Sequence, residues 1–194
     1  MFLPAAHIAD AVARQDLVID PFDPSLLKPA SYVLRLGSRF STWQGGLPAI
    51  DVWSPAAGRE GLHGPHTEES ITIDRTSLVL AATRERVSLS FGLVGFLFSL
   101  SHLTRLGLLL NVSSQLISPG LGLDRPTALT IELASLNPSP VRLRAGTPIC
   151  HLVLAQVGEG GKPPALADSV FAGVPSPSPP MLYEEFAPLI SVDE

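Results

Sequence analysis

Apolar and polar residues alternate with a period of two over Ser70-Ile71-Thr72-Ile73-Asp74 and over Arg86-Val87-Ser88-Leu89, the pattern of strands with one face in a core. Apolar runs at residues 31–37, 77–82, 108–112, 128–134, 140–143 and 149–155 extend the sheet signal, and the turn formers Pro119-Gly120, Asn137-Pro138 and Ala145-Gly146 separate them. Together these predict roughly nine or ten strands, the number expected of a jelly-roll or related barrel. Helical spacing enters near the start, where Ile8, Ala9, Val12 and Ala13 predict one short helix over residues 4–14. Ile19-Asp20-Pro21-Phe22-Asp23-Pro24 reads as a rigid extended segment, and residues 43–66, rich in Gly, Pro and polar side chains, as an irregular excursion. The expected fold is mainly β, a distorted jelly-roll with a short N-terminal helix.

Composition narrows this picture. The 194 residues are 45% hydrophobic, enough for one ordinary domain to bury a core. Nineteen Pro and sixteen Gly favour many short elements, and a charged fraction of 16% leaves apolar surface for a subunit interface. That domain is expected over residues 1–157. Residues 158–194 read as a Pro/Gly-rich tail, draped over a neighbour or loosely ordered, with a docking helix over 181–190 from the spacing of Leu182, Tyr183, Phe186 and Leu189.

A net charge of −5 gives no general attraction to nucleic acid or anionic membranes. Cys150 is a lone cysteine and reads as a small core residue in a reducing compartment. The first residues lack the basic and apolar regions of a secretory signal, so a cytoplasmic protein is expected. The most apolar window, residues 91–112, carries Arg105 and several hydroxyls, and reads as two buried strands around a polar turn, not a membrane span.

The candidate chemistry lies in Ser101-His102-Leu103-Thr104-Arg105-Leu106-Gly107, in Ile117-Ser118-Pro119-Gly120, and at Glu132 within Leu129-Thr130-Ile131-Glu132-Leu133. A hydroxyl, a guanidinium, a tight turn and one carboxylate among strand formers are the parts of a small polar site on an apolar scaffold. Gly158-Glu159-Gly160-Gly161-Lys162 lacks the strand and helix of a phosphate loop, and reads as linker. His63 and His66 have no third ligand nearby in sequence and read as solvated, so no metal site is expected. Asn111-Val112-Ser113 matches a glycosylation sequon but lies in an apolar strand of a chain with no secretory signal. The His-x-Glu and Pro-Cys-x-x-Cys signature of zinc deaminases is missing.

Asp20-Pro21-Phe22-Asp23, Leu27 through Gly37, Ala82-Thr83-Arg84-Glu85-Arg86-Val87, Ser101 through Gly107, Ile117 through Gly120, Glu132, and Leu143 through Ile149 form an ordered series. In order and spacing it resembles the dCTP deaminase branch of the trimeric dUTPase superfamily, over residues 4–155. The resemblance implies a jelly-roll homotrimer with sites shared between subunits. It also implies hydrolytic deamination of a cytosine deoxynucleotide, dCTP to dUTP plus ammonia, without zinc and with Mg²⁺ entering through the nucleotide phosphates. Glu132 would be the proton shuttle between the attacking water, the ring nitrogen and leaving ammonia. Ser101 would orient the water, and Arg105 would support that serine and the nearby charge. His102 and Ser118 join Ser101 and Arg105 as substrate-binding positions, and the backbone around Ser113 and Ser114 would read the pyrimidine edge.

The chain departs from the family pattern where the substrate would be held. Val33 stands for an aspartate, Leu100 for a triphosphate-binding arginine, and Ser118 for the turn aspartate. Residues 121–126 lengthen the connection to Glu132, and the tail lacks the Gly-Lys-Tyr-Gln type of closing segment. Each charge-assisted contact is worth about 1.5–3 kcal/mol. The sequence therefore supports two main readings: a deaminase with an altered grip, and a catalytically inactive trimer that binds nucleotide or serves a structural or regulatory role. A deaminase for a monophosphate or modified cytosine nucleotide is a third.

Overall fold

A computed structural model describes residues 1–46, 49–54, 59–110, 115–158, 176–182 and 185. The N-terminal pattern forms helix α1 (Ala5–Ala13), whose Ile8 and Ala11 are buried. It leads into β1 (Leu17–Asp20), then β2 (Leu27–Lys28) and the long β3 (Ser31–Trp43). The chain continues through β4 (Leu62–Thr67), β5 (Ser70–Ile73), β6 (Leu78–Leu89), β7 (Leu93–Ser99), the single helical turn α2 (Ser101–Thr104) and β8 (Leu108–Leu110). It closes with β9 (Leu116–Ile117), β10 (Thr127–Ser135), β11 (Val141–Arg144) and β12 (Pro148–Gln156). The protein is mainly β, as the alternation predicts.

One ten-stranded sheet runs β8-β10-β6-β3-β12-β7-β9, with β1 on β6 and both β2 and β4 on β3; β11 and β5 form a separate pair. Its inner face closes on a core in which Ile8, Leu17, Tyr32, Leu34, Leu36, Phe40, Ile131, Leu133 and Leu152 are fully buried. Fully burying a large aliphatic or aromatic side chain stabilises by about 1.5–3 kcal/mol. Cys150 belongs to this core, and burial pushes its thiol up to about 12, so it is an inert small hydrophobe.

The structure differs from the sequence expectations at four places. Residues 77–82 and 86–89, read as two strands, are the single strand β6, because the intervening polar residues Thr83 and Glu85 point inward and are satisfied there. The excursion expected over 43–66 contains the strand β4, which tolerates Gly64-Pro65 because it pairs only with β3 and needs no second ladder. Residues 47–48 and 55–58 of that excursion lie outside the described residues. The polar turn at Ser101 closes into a helical turn.

The fourth difference is the tail. Its described stretch lies on the chain's own sheet: the Ser176 hydroxyl donates to the Ala128 carbonyl, and the Ser178 N–H donates to Thr130 Oγ1 at 3.1 Å. Pro177 between them is buried. Of the helix expected over 181–190, only Met181, Leu182 and Glu185 are described, joined by the Glu185 N–H to the Met181 carbonyl at 3.1 Å.

Candidate active site

The strand β10 alternates strictly, with Leu129, Ile131, Leu133 and Ser135 in the core and Ala128, Thr130, Glu132 and Ala134 on the outer face. Glu132 is therefore not a core carboxylate, yet it is half-buried, and its Oε2 is buried without a hydrogen-bond partner. Desolvation holds its carboxyl above the usual carboxylate range, against a smaller opposing backbone hydrogen bond. A carboxyl that holds its proton more tightly than usual is suited to shuttling one near neutral pH.

Two other orphaned buried polar atoms share this face. Glu132 pairs with Leu80 on β6, and Leu80 pairs in turn with Ser41 on β3, so the three side chains form one row across the sheet. Ser41 is 1% exposed and its hydroxyl lacks a partner, as does Nε1 of Trp43, two residues further along β3. Sequence reasoning missed Ser41 and Trp43. Only the strand register puts them on the face of Glu132, two strands away across β6, and no local motif marks them.

Ser101, His102 and Arg105 sit on α2 and its C-terminal cap, all exposed. Leu100, at the position expected of a phosphate-binding arginine, packs its side chain against the core instead. The α2 turn is fixed beside the end of β10: the Leu136 N–H donates to the Gly107 carbonyl at 2.8 Å, and Asn137 Nδ2 donates to the Leu106 carbonyl at 2.9 Å. Gly107 has φ +76°, and a Cβ there would come within 3.0 Å of the Asn137 nitrogen, so the turn requires glycine. The Thr104 hydroxyl donates to the Ser101 carbonyl at 3.0 Å, but among the described residues no hydrogen bond or ion pair engages the side chains of Ser101, His102 or Arg105, and none joins them to Glu132.

Ser118 is exposed in the turn after β9, at the opposite end of the strand order from β8. The turn itself is built: Gly120 has φ +86°, and an added Cβ would sit 2.4 Å from the Phe91 ring. Ser113 and Ser114, with the Asn111-Val112-Ser113 triplet, lie outside the described residues. Val33 is buried opposite His151, whose Nδ1 lies 2.9 Å from the Ser31 hydroxyl.

His63 Nε2 lies 3.0 Å from Gln44 Oε1 and His66 Nε2 lies 3.4 Å from Glu68 Oε1, so the two histidines have separate partners on the edge strand. Among the described residues, no three His, Cys, Asp or Glu side chains converge as a metal site, and no helix is long and apolar enough to cross a membrane.

Comparison with known proteins bears on the family and the fold. The dCTP deaminase-like family model matches residues 2–157. A protein of Methanoregula boonei named dCTP deaminase, dUMP-forming, is 34% identical over 153 residues, covering 79% of this chain and 81% of its own. A protein of the same name from Thermobifida fusca is 28% identical over 190 residues, covering 96% of this chain and 95% of its own. The crystal structure of 2'-deoxycytidine 5'-triphosphate deaminase from Agrobacterium tumefaciens shares the fold, with a TM-score of 0.61 at 16% identity over 81% of this chain. This chain covers 48% of that one, about half its length. With the match spanning the whole β domain, the chain belongs to the dCTP deaminase-like family.

Proposed function

We propose that this protein deaminates a cytosine deoxynucleotide, dCTP to dUTP plus ammonia, with Glu132 as the proton shuttle. The carrying observation is the half-buried Glu132 carboxyl, held above its usual range with one oxygen unpartnered on an outward face. In this reading Glu132 takes a proton from the attacking water and delivers it to the ring nitrogen, then takes the proton of the new C4 hydroxyl and passes it to the amine, which leaves as ammonia as the C4 carbonyl forms. No zinc takes part, and Mg²⁺ enters as the counterion of the nucleotide's phosphates.

Ser101 and Arg105 act from a neighbouring subunit, Ser101 orienting the water and Arg105 supporting that serine and the nearby charge. Their exposure, and the lack of any bond between them and Glu132 within one chain, favour a shared site. A trimer needs an apolar surface, and the outer face of β7, β9 and β12 offers one. There Leu116 stands opposite Phe96 and is 59% exposed, while Phe2, 62% exposed, meets the Phe96 ring at 6.3 Å.

The relatives' names give dUMP as their product. In this chain the turn residue is Ser118, which cannot serve as a carboxylate base for attack at phosphorus, so the reading ends at dUTP. Burial of Leu100 against the core favours the second reading, an inactive nucleotide-binding trimer. Incubation with dCTP, dCMP and dUTP in Mg²⁺, with chromatography of nucleotides and assay of ammonia, separates the two. dUTP and ammonia formed from dCTP by the protein, but not by Glu132→Gln, support the deaminase. No product from any substrate overturns it, and dUMP accumulation would refute the role assigned to Ser118.

A further inference from the structure

Although the chain carries a net charge of −5, four of its thirteen Lys and Arg residues surround one cavity of about 410 Å³. Arg84 and Arg86 come from β6, Arg39 from β3, and Arg125 from the connection leading into β10; Thr127 and Ser176 add polar rim. Among the described residues, none of these arginines forms an ion pair within 4.0 Å. Asp20 stands opposite Arg86 across the β1–β6 pair and Asp124 precedes Arg125 in the chain, but neither lines the cavity nor forms an ion pair with these arginines within 4.0 Å. Glu85 is bound to Arg35, and Glu68, whose N–H meets the Ser38 carbonyl, turns its carboxylate to His66.

Four arginines lining one concave space, none of them in an ion pair, concentrate positive potential that an acidic chain otherwise lacks. Guanidinium matches phosphate oxygens in a bidentate fork, and 410 Å³ lies in the range of small-molecule sites. We propose that this cavity is an anion site that takes a di- or triphosphate group. It lies on the same outer face as Glu132, but Ala128 on its wall is four residues away, about 13 Å along the strand. The Thr130–Ser178 bonds run between the two. The phosphates are therefore held beyond reach of the reacting carboxyl, as the far end of the substrate nucleotide or as a separate phosphate ligand.

Calorimetric titration of the full chain with inorganic triphosphate tests the site without requiring turnover, so an inactive protein leaves it testable. The expected result is saturable binding that weakens with salt and falls about 100-fold or more in Arg84→Ala/Arg86→Ala, two charge-assisted contacts being removed. Arg125→Ala, on a connection outside the ladder, gives an independent second variant and should also weaken binding. No heat with the unmutated protein, or equal affinity in both variants, overturns the proposal. Repeating the titration with dCTP present identifies the source. Competition assigns the cavity to the substrate's phosphates, and simultaneous binding assigns it to a second phosphate ligand.

Discussion

Two glutamates on neighbouring strands show how differently the same side chain is used. Glu85 on β6 is fully buried, and both carboxylate oxygens are engaged: Oε2 accepts the Arg35 N–H at 2.7 Å and Oε1 accepts Arg35 Nε at 2.6 Å. That pairing raises the Arg35 guanidinium further above its ordinary value. Glu132 on β10 is less buried but less satisfied, with Oε2 unpartnered and its proton held more tightly than usual. The two carboxylates differ in how completely their oxygens are partnered, and an unpartnered buried oxygen is a place to look for function.

The largest effect should come from breaking the satisfied pair. Arg35→Met leaves the Glu85 carboxylate buried without its cation and should cost about 3–5 kcal/mol in urea unfolding. A loss below about 1 kcal/mol would mean that Glu85 is not held as a buried charge. At the other carboxylate the effect is on rate: Glu132→Gln should lower ammonia release from dCTP about 10²–10⁴-fold while leaving circular dichroism and nucleotide binding unchanged. A variant that unfolds would instead make Glu132 a structural residue like Glu85.

Thr83 links the two strands. Its hydroxyl donates to the Glu85 carbonyl at 2.7 Å and accepts the Leu129 N–H at 2.8 Å, at the point where the β6–β10 register shifts. Thr83→Val strands that buried N–H and should cost about 1–3 kcal/mol, with the deaminase rate per folded molecule unchanged. A rate loss larger than the stability loss would show that the register shift also positions Glu132.

The two glutamates were unequally legible in the sequence. Glu132 stands out because a carboxylate interrupts an apolar strand beside a recognisable series of motifs, and period two puts it on the face opposite Ile131 and Leu133. Glu85 does not, because Arg35 lies 50 residues away and only the curl of the sheet brings them together. For the same reason β6 reads as two strands: Thr83 and Glu85 look like a polar break until their partners are known. Ser41 and the arginine cavity depend likewise on register between strands distant in the chain, which no local pattern encodes. The helix and most strands, set by local periodicity, were readable.

The smallest effect is a pH dependence of stability, and it tests the Glu132 carboxyl without any assay of turnover. Because the folded chain holds the Glu132 proton above its usual value of 4.5, unfolded chains lose that proton first as pH rises. Below that value both states are protonated and ionisation makes no difference. As pH climbs through it, deprotonation favours the unfolded state, and the penalty becomes constant once the folded carboxyl has also ionised. Glu132→Gln has no such titration. The variant's melting temperature, measured relative to the unmutated protein, should therefore begin to rise as pH climbs through about 4.5 and then level off. A difference that stays flat with pH would mean that Glu132 titrates alike in both states, so that its unpartnered oxygen does not hold the proton.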